Sequence, residues 1–179
     1  MVVSCLSSGA TAAQDPSSFE ARAEYLYRRM DQGGVPSRML IAMLGDQYPE
    51  TRVLAVRTVA TSADPGRALL LSRYARDLDL RVRYEVMIAA GRLGPAGRDI
   101  AFVGLGDIIA RVRQAAAWAA CHGGDDALQP LMQRMAAEGD IGVRATALAN
   151  LWRFGEAPWE GYADSATQSD HAQLRLSLI

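Results

Sequence analysis

Asp77-Leu78-Asp79-Leu80-Arg81-Val82-Arg83 returns further along the chain as Asp107-Ile108-Ile109-Ala110-Arg111-Val112-Arg113. Upstream the same phrase reads Asp46-Gln47-Tyr48-Pro49-Glu50-Thr51-Arg52, and downstream it reads Glu138-Gly139-Asp140-Ile141-Gly142-Val143-Arg144. Each copy is an acid, five residues, then an arginine that opens an apolar run. A fifth copy ends at Arg175 and has Ser169 where the acid should stand. Successive arginines are spaced by 31, 30, 31 and 31 residues. The residues one before, three after and seven after each arginine are apolar or small: Val82, Val86 and Ala90 in one copy, Val112, Ala116 and Ala120 in the next. Those offsets share one face of an α-helix. A fixed period near thirty residues predicts stacked repeat units, none of which buries its apolar face alone.

Each period holds two helices. The arginine phrase opens the second, helix B. The first, helix A, is expected at 36–44, 65–78, 95–105, 127–137 and 158–166. Several of these open on proline, which suits a first helical turn because its missing N–H is not needed there. Leu93-Gly94, Gly123-Gly124 and Phe154-Gly155 close the B helices, and glycine supplies the left-handed residue past a helix end. Most of the glycines are expected at turns.

The pattern resembles the HEAT-repeat (armadillo-like) family from about Val35 onward. The fold class this implies is all-α, a right-handed α–α superhelical solenoid of HEAT-like helix pairs. In that family a turn aspartate and the arginine opening helix B bond in a ladder between neighbouring repeats. The matching positions are Asp46, Asp77, Asp107 and Glu138 with Arg52, Arg83, Arg113 and Arg144. Ser169 breaks the last rung, and Thr51 replaces the usual valine in the first repeat.

Residues 1–18 are small and polar and read as a disordered tail. A helix within 19–34, capped by Ser17 or Ser18, presents Phe19, Ala23, Leu26, Tyr27 and Met30 on one face. It reads as an N-terminal capping unit without the arginine phrase. Residues 35–179 then hold about five repeats, the last truncated four residues after Arg175, as expected of a fragment or of an end that pairs with something else. Val2-Val3-Ser4-Cys5 resembles a bacterial lipoprotein cleavage box with Cys5 as the lipidated residue. No basic or apolar signal region precedes it, so the chain as given is expected in the cytoplasm, with an envelope lipoprotein as the alternative.

The 179 residues are 50% hydrophobic with a formal net charge of −1, which predicts one all-α domain and no global pull toward polyanions. All 19 basic residues are arginine. Cys5 and Cys121 imply no disulfide framework, and Cys121 fits a small buried position. No run is long enough to be a transmembrane helix. His122 and His171 lie in different repeats without partners at ligand spacing, so no metal is expected. There is no phosphate loop, nucleophile elbow or Ser-His-Asp set. The chain is therefore expected to be non-enzymatic and to carry no cofactor.

Steps of 100° from the arginine place offsets +2, +5 and +9 away from the core. In a HEAT-like solenoid helix B lines the concave side. Its middle then carries Trp118 and His122, flanked by Arg92 and Arg153; tryptophan and arginine are common interface anchors. Trp152 falls nearer the core. The leading expectation is a scaffold binding a protein or peptide in this concave face. The alternatives are the repeat portion of a larger bacterial envelope lipoprotein or enzyme, and a nucleic-acid binder, which the charge disfavours.

Overall fold

The computed structural model describes residues 18–31, 34–62, 64–123 and 138–154, without the side chains of 30–31 and 151–154. Helix A at 127–137 and 158–166, the fifth phrase with Ser169 and Arg175, Cys5, Trp159, His171 and the side chain of Trp152 lie outside the described residues.

All regular structure among the described residues is helical. The helices are α1 (Phe19–Asp31), α2 (Ser37–Leu44), α3 (Pro49–Thr61), α4 (Ala68–Leu71), α5 (Leu80–Arg92), α6 (Arg98–Gly104), α7 (Ala110–His122) and α8 (Ile141–Phe154). Three 3-10 turns lie at Pro65–Arg67, Ser72–Arg76 and Gly94–Gly97. None of these helices is long and apolar enough to cross a membrane.

Helix starts follow local chemistry. Ser18 Oγ accepts the Ala21 N–H at 3.2 Å before α1. Asp79 Oδ1 accepts the Arg81 N–H at 2.8 Å before α5, and Asp140 Oδ1 accepts the Val143 N–H at 3.0 Å before α8. Pro49 occupies the first turn of α3. Past α5 the chain turns at Gly94 with φ 59°, a left-handed residue. Gly123 after α7 is right-handed, with φ −71°.

The stretch expected as one helix over 65–78 is instead a 3-10 turn, the single α-turn α4 and a second 3-10 run ending at Arg76. Two local bonds tighten it. Asp64 draws in the Gly66 N–H at 3.0 Å, and the Ser72 hydroxyl donates to the Leu69 carbonyl at 3.0 Å, competing with the helical ladder. Asp77 then turns extended, with φ −56° and ψ 149°, so Leu78 stands outside the helix and fully in solvent.

The offsets −1, +3 and +7 are buried in α3, α5 and α7, and the offsets −1 and +3 in α8. Thr51, Ala55, Val59, Val82, Val86, Ala90, Val112, Ala116, Ala120, Val143 and Ala147 all lie in the interior. Helices α1, α3, α5, α7 and α8 pack each on the next, with α2 against α3, Ser72–Arg76 against α5, and α6 against both α5 and α7.

Three glycines serve close packing rather than turns alone. A Cβ on Gly91 would lie 2.2 Å from the Trp118 ring of α7. One on Gly97 would meet the Ala90 carbonyl oxygen at 2.0 Å, and one on Gly104 would meet Met87 Sδ at 2.1 Å. These positions admit only hydrogen because neighbouring chain segments touch there.

In three of the phrases the arginine joins two consecutive turns. Arg52 Nη1 donates to the Asp46 carbonyl at 2.8 Å, while its Nε and Nη2 donate to the Asp77 carboxylate at 2.8 and 2.7 Å. Arg83 repeats this with the Asp77 carbonyl at 2.8 Å and the Asp107 carboxylate at 2.6 and 3.3 Å. Arg113 does so with the Asp107 carbonyl at 2.8 Å and Glu138, whose bond holds the guanidinium above its ordinary pKa. The acids also bind forward: Asp77 accepts the Asp79 N–H and Asp107 the Ile109 N–H, both at 2.8 Å. Each acid thus closes its own turn while bonding the preceding arginine.

Helix α1 lacks the phrase, yet its Arg22 donates to Asp46 Oδ2 and so ties α1 to the turn before α3. Arg144 of α8 has its Nε buried without a hydrogen-bond partner.

Candidate functional site

The B-helix faces turned from the core form a groove of three adjoining cavities. The first, about 530 Å³, lies among α1, α3, α5 and α7. Phe19, Tyr27, Leu54, Leu80 and Tyr84 give it a mainly apolar wall. The second, about 460 Å³, continues along α3 and α5 past Thr61 and Ile88 to Arg92. The third, about 430 Å³, lies among α5, α7 and α8, between Tyr84, Gln114, Trp118 and Thr146. Tyr84 lines all three, and Arg111 lines the first and third.

Charge in the groove is partly cancelled across helices. Arg57 of α3 donates to Glu85 of α5, which holds the guanidinium above its ordinary pKa. Arg81 Nη1 donates to Glu50 Oε1 at 2.9 Å, and Arg81 also grips Asp79. Glu50 is held below the usual carboxylate range, first by a backbone hydrogen bond and then by Arg81. The Arg111 guanidinium sits over the Tyr84 ring, 4.8 Å from its centroid, a cation–π contact. Neither Arg92 nor Arg111 has a carboxylate partner among the described residues.

The expected site residues do not share one pocket. Arg92 is exposed on the second cavity, while Trp118 lines the third. Much of Trp118 is committed to packing: its ring covers Gly91 of α5. It also stacks on His122 at 4.3 Å between centroids, tilted by 45°. His122 Nδ1 is 2.9 Å from the Trp118 carbonyl, which can only accept, so Nδ1 carries the proton. His122 therefore braces Trp118 and does not line any of the three cavities. The backbone of Arg153 belongs to α8, and its side chain lies outside the described residues.

Tyr27, Tyr84 and Arg111 are the groove residues that the sequence reading missed. The offset −2 column, Glu50, Arg81 and Arg111, could have been found by the same 100° steps, since two steps back reach 160°, between offsets +5 and +2. Tyr84, at offset +1, sits on the flank of the helix and becomes groove lining only through the angle between α5 and its neighbours.

The groove lining contains no serine, cysteine or histidine among the described residues, and no three His, Cys, Asp or Glu side chains there converge to hold a metal. The lining offers an apolar recess, aromatic walls and two guanidinium groups, Arg92 and Arg111, without a carboxylate partner among the described residues. Comparison with models of known protein families and with curated proteins finds no match.

Proposed function

We propose that the chain is a non-enzymatic HEAT-like solenoid scaffold that binds a protein or peptide segment along the groove of its B helices. The observation that carries this reading is the continuity of the groove: α1, α3, α5, α7 and α8 each contribute to adjoining cavities that share Tyr84. The sequential packing of those helices and the arginine rungs between them support the solenoid arrangement. An extended partner suits such a surface, because each repeat adds one more set of side chains along a line. The recess among Phe19, Tyr27 and Leu80 suits an anchoring apolar side chain, buried at the centre of an interface with a polar rim.

Site-specific crosslinking tests the reading. A photoreactive phenylalanine is placed at Tyr27 in the groove, and separately at Leu69, which is exposed but lines none of the three cavities. Protein adducts at position 27 and not at 69 are expected in lysate of the source organism. Nucleic-acid adducts, or equal protein labelling at both positions, overturn it.

A further inference from the structure

Resting on the groove reading above, we infer that the occupant is an acidic peptide segment, in which one large apolar side chain enters the first cavity and a neighbouring carboxylate meets Arg111. Three observations converge on this chemistry. The first cavity is the most apolar part of the groove, walled by Phe19, Leu54 and Leu80, and calls for a large apolar side chain.

The second observation is the pattern of charge pairing. At offset −2 the B helices carry Glu50, Arg81, Arg111 and Gly142 in order. Arg81 is shared between Glu50 and Asp79. Arg111 would look to the same position on α8 for its acid, and that position is Gly142. Arg57 is likewise satisfied by Glu85, whereas Arg92 is exposed and has no acid partner among the described residues. The groove thus holds an excess of positive charge, and the excess sits on Arg111 and Arg92.

The third observation is preorganisation. Arg111 lies against the Tyr84 ring at 4.8 Å, with the shared wall of two cavities behind it. A guanidinium already held over an aromatic face loses little freedom on taking a carboxylate by two parallel bonds. A peptide is favoured over nucleic acid for two reasons. The same guanidinium occupies a face of Tyr84 on which a base would stack. Beyond Arg92 and Arg111, the groove arginines are already neutralised, so it lacks the row of free cations that a phosphate backbone demands.

The experiment is a selection of random twelve-residue peptides displayed on phage, against the full chain. Enriched peptides are then synthesised and measured by fluorescence anisotropy. Enriched sequences are expected to place Asp or Glu within a few residues of Phe, Leu or Trp. Arg111→Glu is expected to weaken them about tenfold or more, Arg92→Glu less, and lysine in place of the peptide's acids should restore part of the affinity for Arg111→Glu. Leu80→Arg, which fills the first cavity from its exposed rim, should abolish binding. Unaltered circular dichroism melts show that these exposed substitutions leave the fold intact. If the enriched peptides lack acids, or bind Arg111→Glu as well as wild type, while Leu80→Arg still abolishes binding, the acidic class is wrong and the groove reading stands. If no peptide is enriched and a thymidine oligonucleotide binds with steep salt dependence, both fall.

Discussion

Gly91 and Trp118 show how one residue position decides the packing of two helices. The tryptophan ring occupies the place where any Cβ on Gly91 would stand. Gly91→Ala should therefore cost about 1–3 kcal/mol by overpacking. In a Trp118→Ala background the same change should be neutral, or stabilising by up to about 1 kcal/mol from the helix propensity gained. A double-mutant cycle by urea denaturation reads the difference directly, and additive effects would contradict the contact. This glycine belongs to no turn, so its role follows from the distance between α5 and α7, which no local sequence pattern states.

Among the elements, α5 is held at its start by two separate devices. Asp79 caps it, and hydrogen bonding to Arg81 holds the Asp79 carboxyl down to about 2 from its ordinary 3.8. A depressed carboxyl contributes stability that is present above pH 3.8 and lost as pH falls from there toward about 2. Asp79→Ala should lower stability by about 1 kcal/mol at neutral pH through loss of the cap, and flatten the acid limb of a stability–pH curve between those values. An unchanged acid limb would show that Asp79 does not titrate as described. Arg83, a few residues on, joins α5 to the turns on both sides. Its side chain is 12% exposed and that of Asp107 is 7% exposed, so Arg83→Ala strands a buried carboxylate and two carbonyls. Thermal or urea denaturation should show a loss of about 3–5 kcal/mol. The surface pair Arg28–Glu24 on α1, with both side chains more than half exposed, should change stability by less than about 1 kcal/mol when either partner is replaced.

At the scale of the whole molecule, stability should vary along the chain, because helices pack mainly on their sequence neighbours. Native-state hydrogen exchange should find the slowest amides in α5 and α7, which have neighbours on both sides. It should find faster exchange in α1, which packs on α3. Uniform protection from α1 to α8 would speak against a one-dimensional stack. The same geometry makes the groove: helices arranged side by side align equivalent offsets into columns, and the columns Glu50–Arg81–Arg111 and Leu54–Glu85–Ala115 become a surface.

The helices, their buried stripes and the acid–arginine phrase were legible in the sequence because each depends on residues within one turn or at one fixed period. Asp77 and Arg83, and the apolar offsets around them, state their own geometry. Arg22 was not legible, since α1 lacks the phrase and its bond to Asp46 exists only because α1 packs on α3. Nor was the importance of Tyr84, which lies beside the helix face that counting selects and reaches three cavities only when α3, α5 and α7 are set at their angles. Trp118 lines the third cavity, yet the bare hydrogen of Gly91 draws much of it into packing. Periodicity specifies which side of a helix is buried; the distances and angles between helices specify which of the remaining side chains converge, and these come from packing between helices.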